Sequence, residues 1–334
     1  MKAVVTAEMP QDALERLKSL GYEVDVVGWG STRTALSESE LIGALSEAQL
    51  LVCELEEVTE NVFNSCPELA IVASARGNPT NVDLAAAAQH GVYVLNTPGR
   101  NADSVADFTV ALILALERGL VSADHHLRSE GWNVDNELPY FHFRGHELGR
   151  ITVGVLGFGA VGRKVAQRLT RGFDARVIVH DPFVTTFPDD VTGVSFAELF
   201  RQSDLVTLHA AVPADGLPMV GSAQLKDLGP NGYLVNTARA ALIDEAALVQ
   251  ALERSEIAGA ALDVYWSEPL DRGHPLLHSD RVIMTPHIAG AALDVSHHHA
   301  QLILDDISAL QQGKEPIHAV VRGGASAKQN EGKP

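Results

Sequence analysis

The chain has 334 residues, 46% hydrophobic but only 5% aromatic, and a formal net charge of −18. That length predicts about two domains with aliphatic cores. The charge excludes nucleic acid as a partner, because phosphates and such a surface repel each other, and no apolar run approaches the length of a membrane span.

Short apolar runs alternate with amphipathic segments along the chain. The early strands are expected at Ala3–Thr6, Glu23–Val27, Gln49–Cys53, Ala70–Ala73 and Val92–Asn96. Between them lie helical patterns at Asp12–Leu20, Ser37–Ala48 and Asp83–His90, the first opened by Pro10 and closed by Gly21. A long helical stretch over Ala102–Leu127 interrupts this rhythm and reads as a helix linking two domains. The alternation restarts at Ile151–Leu156 and continues through Val177–His180, Leu205–His209, Tyr233–Asn236, Ala260–Val264 and Val282–Thr285. Helices are expected over Ala160–Thr170 and over Phe196–Arg201, the latter behind a Ser195/Glu198 capping box. Ala291–Gln312 reads as one final helix, and the polar tail 323–334 is expected to be disordered. The βαβα rhythm predicts an α/β chain of two doubly wound parallel-sheet domains, Rossmann- or flavodoxin-like, with a cleft between them. A discontinuous outer domain is expected at 1–100 plus 288–322, and an inner domain at 101–287.

The segment Gly157-Phe158-Gly159-Ala160-Val161-Gly162 is a G-x-G-x-x-G that follows a strand and opens a helix. In that setting Gly157 permits the tight turn, Gly159 leaves room for a pyrophosphate, and Gly162 lets helix and strand pack closely. The amides of Ala160 and Val161 then face the phosphates at the positive end of the helix. The next strand ends at Asp181, about 20 residues on, where an acidic ribose ligand belongs. Asp181 repels a 2′-phosphate, so the expected cofactor is NAD rather than NADP.

Three later strands are each followed by a reactive side chain: Arg239 in LVNTARAALIDEAAL, Glu268 in ALDVYWSEPL and His287 in VIMTPHIAG. Ligands of open parallel sheets bind outside the carboxyl ends of the strands. Reduction of a 2-oxo acid needs a cation for the carboxylate, which Arg supplies bidentately. It also needs a proton for the oxygen, which His exchanges near neutrality. Glu268 is the candidate partner for the other ring nitrogen of His287. Metal binding is not expected: His297-His298-His299 lie on a helix, where consecutive side chains diverge, and read as a solvated face. Trp132 and Trp266 read as packing. The two cysteines, Cys53 and Cys66, stand in no metal or redox spacing, and the N-terminus lacks a signal-peptide pattern, so a cytoplasmic setting is expected.

These segments, with NVDLAAAAQHGVYVLNTPGRNADSVADFTVALILAL and GHELGRITVGVLGFGAVGRKVA, resemble the D-isomer-specific 2-hydroxyacid dehydrogenases, from about Ala70 to Gly290. The family includes D-3-phosphoglycerate, glyoxylate/hydroxypyruvate and D-lactate dehydrogenases. The resemblance implies Arg239 as carboxylate binder, His287 as acid/base and Glu268 as its partner. It places Asp263 at the nicotinamide carboxamide, and His209, Pro213, Thr237 and Ala238 along the cofactor groove. It also implies a homodimer joined through the NAD-binding domains, with the long helix and the arm from Trp132 to His146 in the contact.

Two departures matter. Ala240 stands where the family has Gly, a small change. Where the family runs Gly-Val-Gly, this chain has Arg76-Gly77-Asn78, the stretch whose amides bind the substrate carboxylate in the family. Arg76 then either adds a cation for a substrate with extra hydroxyls or a second anionic group, as in a sugar acid or its phosphate, or points to solvent or to a carboxylate. Formate dehydrogenases share the architecture but carry Gln where Glu268 stands. A non-enzymatic NAD-sensing regulator of the corepressor type is the alternative of a different class.

Overall fold

In the computed structural model, which describes residues 1–134 and 137–323, the chain forms two compact units. One comprises Met1–Asn101 and the segment from Leu293 onward; the other is Ala102–Ala292. The return crossing falls at Ala292–Leu293 rather than after His287. The carboxylate of Asp263 accepts from the amides of Ile288 and Ala289 and keeps that stretch with the second unit. Of the expected tail, only Gly323 lies within the described residues.

The first unit contains β1 (Lys2–Val5), β2 (Glu23–Val26), β3 (Leu50–Cys53), β4 (Ile71–Ser74) and β5 (Tyr93–Leu95), paired parallel in the order β5-β4-β3-β1-β2. The second unit holds β6 (Thr152–Leu156), β7 (Arg176–His180), β8 (Thr192–Gly193), β9 (Leu205–Leu208), β10 (Tyr233–Asn236), β11 (Gly259–Leu262) and β12 (Val282–Met284). These form one all-parallel sheet in the order β12-β11-β10-β9-β6-β7-β8. The order reverses on either side of β6, which is the switch point where doubly wound sheets bind ligands. Strands such as β3 (LLVC) and β9 (LVTL) are buried at every position, as both-face coverage of a parallel sheet demands.

Local signals act where the sequence puts them. The first helix, Gln11–Ser19, runs between Pro10 and a left-handed Gly21. The Ser195/Glu198 capping box closes in both directions ahead of helix Phe196–Gln202. Two short strands escape the periodicity. β8 is a two-residue edge, and β13 (Ala319–Val321) returns after the last helix to pair antiparallel with β5.

Two further expectations are corrected. The predicted single helix over Ala102–Leu127 is two helices, Ala102–Glu117 and Leu120–Ser129, because Gly119 takes φ 55° between them; a left-handed glycine ends a helix at little steric cost. The first piece is largely buried, whereas the second has no buried residue and exposes Leu120, Val121 and Leu127.

The final helix is Val295–Gln311, and its histidines are not a uniform solvated face: His299 is 2% exposed. Its Nδ1 lies 3.0 Å from Nη1 of Arg100 and its Nε2 lies 2.6 Å from the carbonyl oxygen of Glu8. A guanidinium only donates, so Nδ1 accepts and Nε2–H donates to Glu8. Burial lowers the pKa of this imidazole and favours the neutral form that the pattern requires.

Glu117, buried at the end of its helix, carries the opposite tension. Burial raises its carboxyl pKa against the pull of His146, whose Nδ1 is 3.5 Å away. The folded state therefore holds the proton more tightly than the unfolded chain, and stability at this group falls as pH rises through that window. Glu117→Gln should raise Tm more at neutral pH than near about pH 4. Thermal melts showing the same change at both would refute this.

Candidate active site

β6 delivers the chain to Gly157 at φ 91°, where an added Cβ would lie 2.5 Å from the amide nitrogen of Ala210. A Cβ on Gly162 would lie 2.1 Å from the carbonyl oxygen of Gly157. Both glycines are demanded by the protein's own packing. Gly159 is different: nothing lies within 4 Å of its would-be Cβ. It precedes helix Ala160–Phe173 without a side-chain cap, so the first amides of that helix have neither an intrahelical acceptor nor a capping side chain. A free space beside uncapped amides suits a phosphate. Phe158 is buried, its ring beneath the Arg163 guanidinium, 4.5 Å from centroid to Cζ. Its amide donates to Oδ2 of Asp181 at 2.7 Å, while Oδ1 of Asp181 accepts from Phe183 N at 2.9 Å. Asp181, just past β7, is thus tied directly to the glycine loop.

His209, just past β9, abuts that loop through its neighbour Ala210. Burial pushes its pKa down to about 3, which keeps the ring neutral, and Nε2 meets Thr207 Oγ1 at 2.9 Å. Pro213 lies half-buried in the loop that follows.

The reactive side chains leave from a common row. Leu156, Leu208, Asn236, Leu262 and Met284 are register partners across β6, β9, β10, β11 and β12. Just beyond this row, Nδ1 of His287 lies 2.7 Å from Oε2 of Glu268. A carboxylate only accepts, so Nδ1 carries the hydrogen and Nε2 is left for other chemistry on a half-exposed ring. The Glu268 Oε1 accepts from Tyr265 N at 3.0 Å. Burial pulls the Glu268 pKa upward, but the hydrogen bonds from His287 and Tyr265 N and the charges of His287 and Arg239 together hold it below the ordinary range. Arg239 is exposed, and its Nη1 donates to the neighbouring Ala238 carbonyl at 2.7 Å. The expected trio is therefore assembled as one bonded pair with a nearby cation.

His287 takes φ 56°, a left-handed backbone that costs a non-glycine residue about 1–3 kcal/mol. Asp263, 1% exposed, holds it there. Its Oδ1 accepts from Thr285 Oγ1 at 2.6 Å and Ile288 N at 2.8 Å, and its Oδ2 from Ala289 N at 2.8 Å. The resemblance put Asp263 at the nicotinamide carboxamide; among the described residues its carboxylate bonds to the turn that carries His287, and its amide donates to Asn236 O. Tyr265 braces the same turn, its hydroxyl 2.9 Å from Thr285 O and 3.1 Å from Leu262 O. Trp266 packs, stacking on His274 and donating Nε1 to Ile243 O.

Thr237 is buried, its hydroxyl 2.9 Å from that of Thr109, and Ala238 N donates to the Asn236 side chain. Sequence reasoning missed Asn236, Thr285 and Thr109. A signal exists for the first two: each is a polar residue at the carboxyl end of an otherwise apolar run (YLVN, VIMT).

Arg76, Gly77 and Asn78 follow β4 in the first unit. Thr97 N donates to Arg76 O and Asn96 Nδ2 to Gly77 O. Among the described residues, the amides of Gly77 and Asn78 have no protein acceptor and Arg76 forms no ion pair. No helix of the described residues is long and apolar enough to cross a membrane.

Comparison with known proteins identifies the architecture. Residues 110–289 match the model of the D-isomer specific 2-hydroxyacid dehydrogenase family, NAD binding domain. A putative 2-hydroxyacid dehydrogenase, YoaD of Bacillus subtilis, is 34% identical over 306 residues, covering 91% of this chain and 89% of that protein. Glyoxylate reductase of Thermofilum pendens is 33% identical over 320 residues, covering 94% and 93%. The crystal structure of the TT0316 protein of Thermus thermophilus superposes with a TM-score of 0.79 at 32% identity, covering 96% of this chain and all of that one.

The two kinds of glycine separate packing from ligand binding. Gly159→Ala should melt like the wild type yet weaken NADH binding at least about ten-fold, equivalent to about 1.4 kcal/mol, in a fluorescence titration. Gly162→Ala should lower Tm. Unchanged NADH affinity in folded Gly159→Ala would remove the phosphate assignment.

Proposed function

The chain belongs to the D-isomer specific 2-hydroxyacid dehydrogenase family, and we propose that it interconverts a small D-2-hydroxy acid and its 2-oxo acid through Arg239, Glu268 and His287. The chemistry that NAD(H) would supply when bound is the exchange of a hydride at C2. The glycine loop Gly157–Gly162 would hold its phosphates, Asp181 its adenosine ribose, and His209, Pro213, Thr237 and Ala238 the rest of the groove. Arg239 grips the substrate carboxylate as a fork. Nε2 of His287 gives its proton to the carbonyl oxygen during reduction and takes it from the hydroxyl during oxidation. Glu268 fixes the tautomer, keeping the hydrogen on Nδ1 so that Nε2 is the atom that faces the substrate oxygen. The observation that carries this reading is the 2.7 Å Glu268–His287 bond, with Nε2 left free.

Arg76, Gly77 and Asn78 are proposed to contact substrate. The two unengaged amides suit a carboxylate, and a half-buried cation without an ion pair among the described residues suits a second anionic or polyhydroxy end. The exposed apolar side chains of Leu120, Leu127, Trp132, Leu138 and Tyr140 suit an interface with a second copy of the chain, and we propose a homodimer joined through the NAD-binding unit. Two buried free thiols fit a cytoplasmic setting.

A spectrophotometric screen of 2-oxo acids, starting with glyoxylate and hydroxypyruvate, tests the activity with NADH and NADPH. Turnover with none of them would favour the regulator. His287→Ala should lower kcat by about 10²–10⁴-fold with NADH affinity nearly unchanged; joint loss of both would point to a structural role. Asp181→Ala should shift preference towards NADPH, and an unchanged ratio would refute the ribose assignment. Arg76→Ala should slow longer polyhydroxy acids more than glyoxylate; equal losses would exclude the distal contact.

A further inference from the structure

Arg239 is exposed, and among the described residues its guanidinium donates only to the carbonyl of its own neighbour. Its direction therefore depends on the backbone that carries it, residues 236–239. That backbone is held by two side chains outside the Glu268–His287 pair, those of Asn236 and Thr109. Asn236 is 0% exposed. Its Oδ1 accepts from Ala238 N at 3.0 Å, and its Nδ2 donates to the Arg239 carbonyl oxygen at 2.9 Å. The amide orientation is unambiguous, since a flip would set N–H against N–H and oxygen against oxygen.

A second tie comes from helix Ala102–Glu117. The Thr109 hydroxyl lies 2.7 Å from Val105 O and 2.9 Å from the Thr237 hydroxyl. A carbonyl can only accept, so Thr109 spends its hydrogen on Val105 and takes the hydrogen of Thr237 on a lone pair. The loop is thereby tethered at Thr237, Ala238 and Arg239 in succession.

We propose that Asn236 and Thr109 are positioning residues for Arg239, setting the aim of its guanidinium at the substrate carboxylate. The proposal rests on the reading of Arg239 as the carboxylate binder. Asparagine is the residue that both bonds require: aspartate keeps the acceptor but sets an oxygen against the Arg239 carbonyl, and serine is too short to span both. Valine at 109 keeps the shape of threonine and removes the acceptor for Thr237.

The test measures glyoxylate KM and kcat, inhibition by oxamate (a carboxylate analogue of the substrate) and NADH affinity in Asn236→Asp, Thr109→Val and Arg239→Ala. Losing one aligned hydrogen bond should raise KM and the oxamate inhibition constant in parallel, about ten-fold in Asn236→Asp and about three-fold in Thr109→Val, with kcat within about two-fold and NADH affinity, which the tethered Thr237 and Ala238 also serve, changed less than either. A general packing role would instead move kcat and NADH affinity together with KM, and that result overturns the proposal. So do unchanged KM and oxamate inhibition in the folded variants while Arg239→Ala loses both. If Arg239→Ala itself leaves oxamate inhibition intact, the reading of Arg239 fails and the proposal falls with it. Should Asn236→Asp not fold, Thr109→Val carries the same readouts and decides.

Discussion

The site depends on one buried charge. The Asp263 carboxylate gathers a hydroxyl and two backbone amides from residues 285–289 and so holds His287 in a backbone conformation that a histidine does not choose alone. A buried carboxylate needs such donors in any case, because each lost bond leaves a desolvation cost of about 1–3 kcal/mol. The requirement of the charge for partners and the requirement of the histidine for restraint are met by the same atoms. Glu268 acts on the side chain of His287, whereas Asp263 acts on its backbone.

The parallel sheet makes that economy possible. Because every strand of the second unit runs the same way, five strand ends share one level, and a residue a few positions beyond any of them reaches the same surface. Each loop then needs only a local brace. Asn236 serves the Arg239 loop, Tyr265 and Asp263 serve the His287 turn, and Asp181 ties the glycine loop to the end of β7.

Much of this was legible in the sequence, for identifiable reasons. The glycine spacing is readable because packing forbids a Cβ at Gly157 and Gly162, and the strands because burial on both faces imposes apolar runs. Arg239, Glu268 and His287 stand out as charged or titratable residues just after such runs. What escaped was whatever depends on partners distant in sequence. His299 reads as polar, yet its bonds to Glu8 and Arg100 bring it inside. Leu120 and Leu127 escaped for a local reason instead: they continue the apolar pattern of the preceding helix, and the left-handed φ of Gly119, which glycine permits but does not announce, ends that helix before them. β13 is too short for any period and exists through its pairing with β5.

The chain leaves the first unit once and returns once, so the second unit is an uninterrupted insert, Ala102–Ala292. The two severed ends of the host remain fastened to each other. Arg100 O meets Nδ1 of His298 at 3.0 Å and the Arg100 guanidinium meets His299 at 3.0 Å, while β13 from the far end of the chain completes the host sheet. Splicing across that fastening with a short turn would yield a minimal host domain free of its passenger, and the passenger itself, being continuous, is a natural module for grafting.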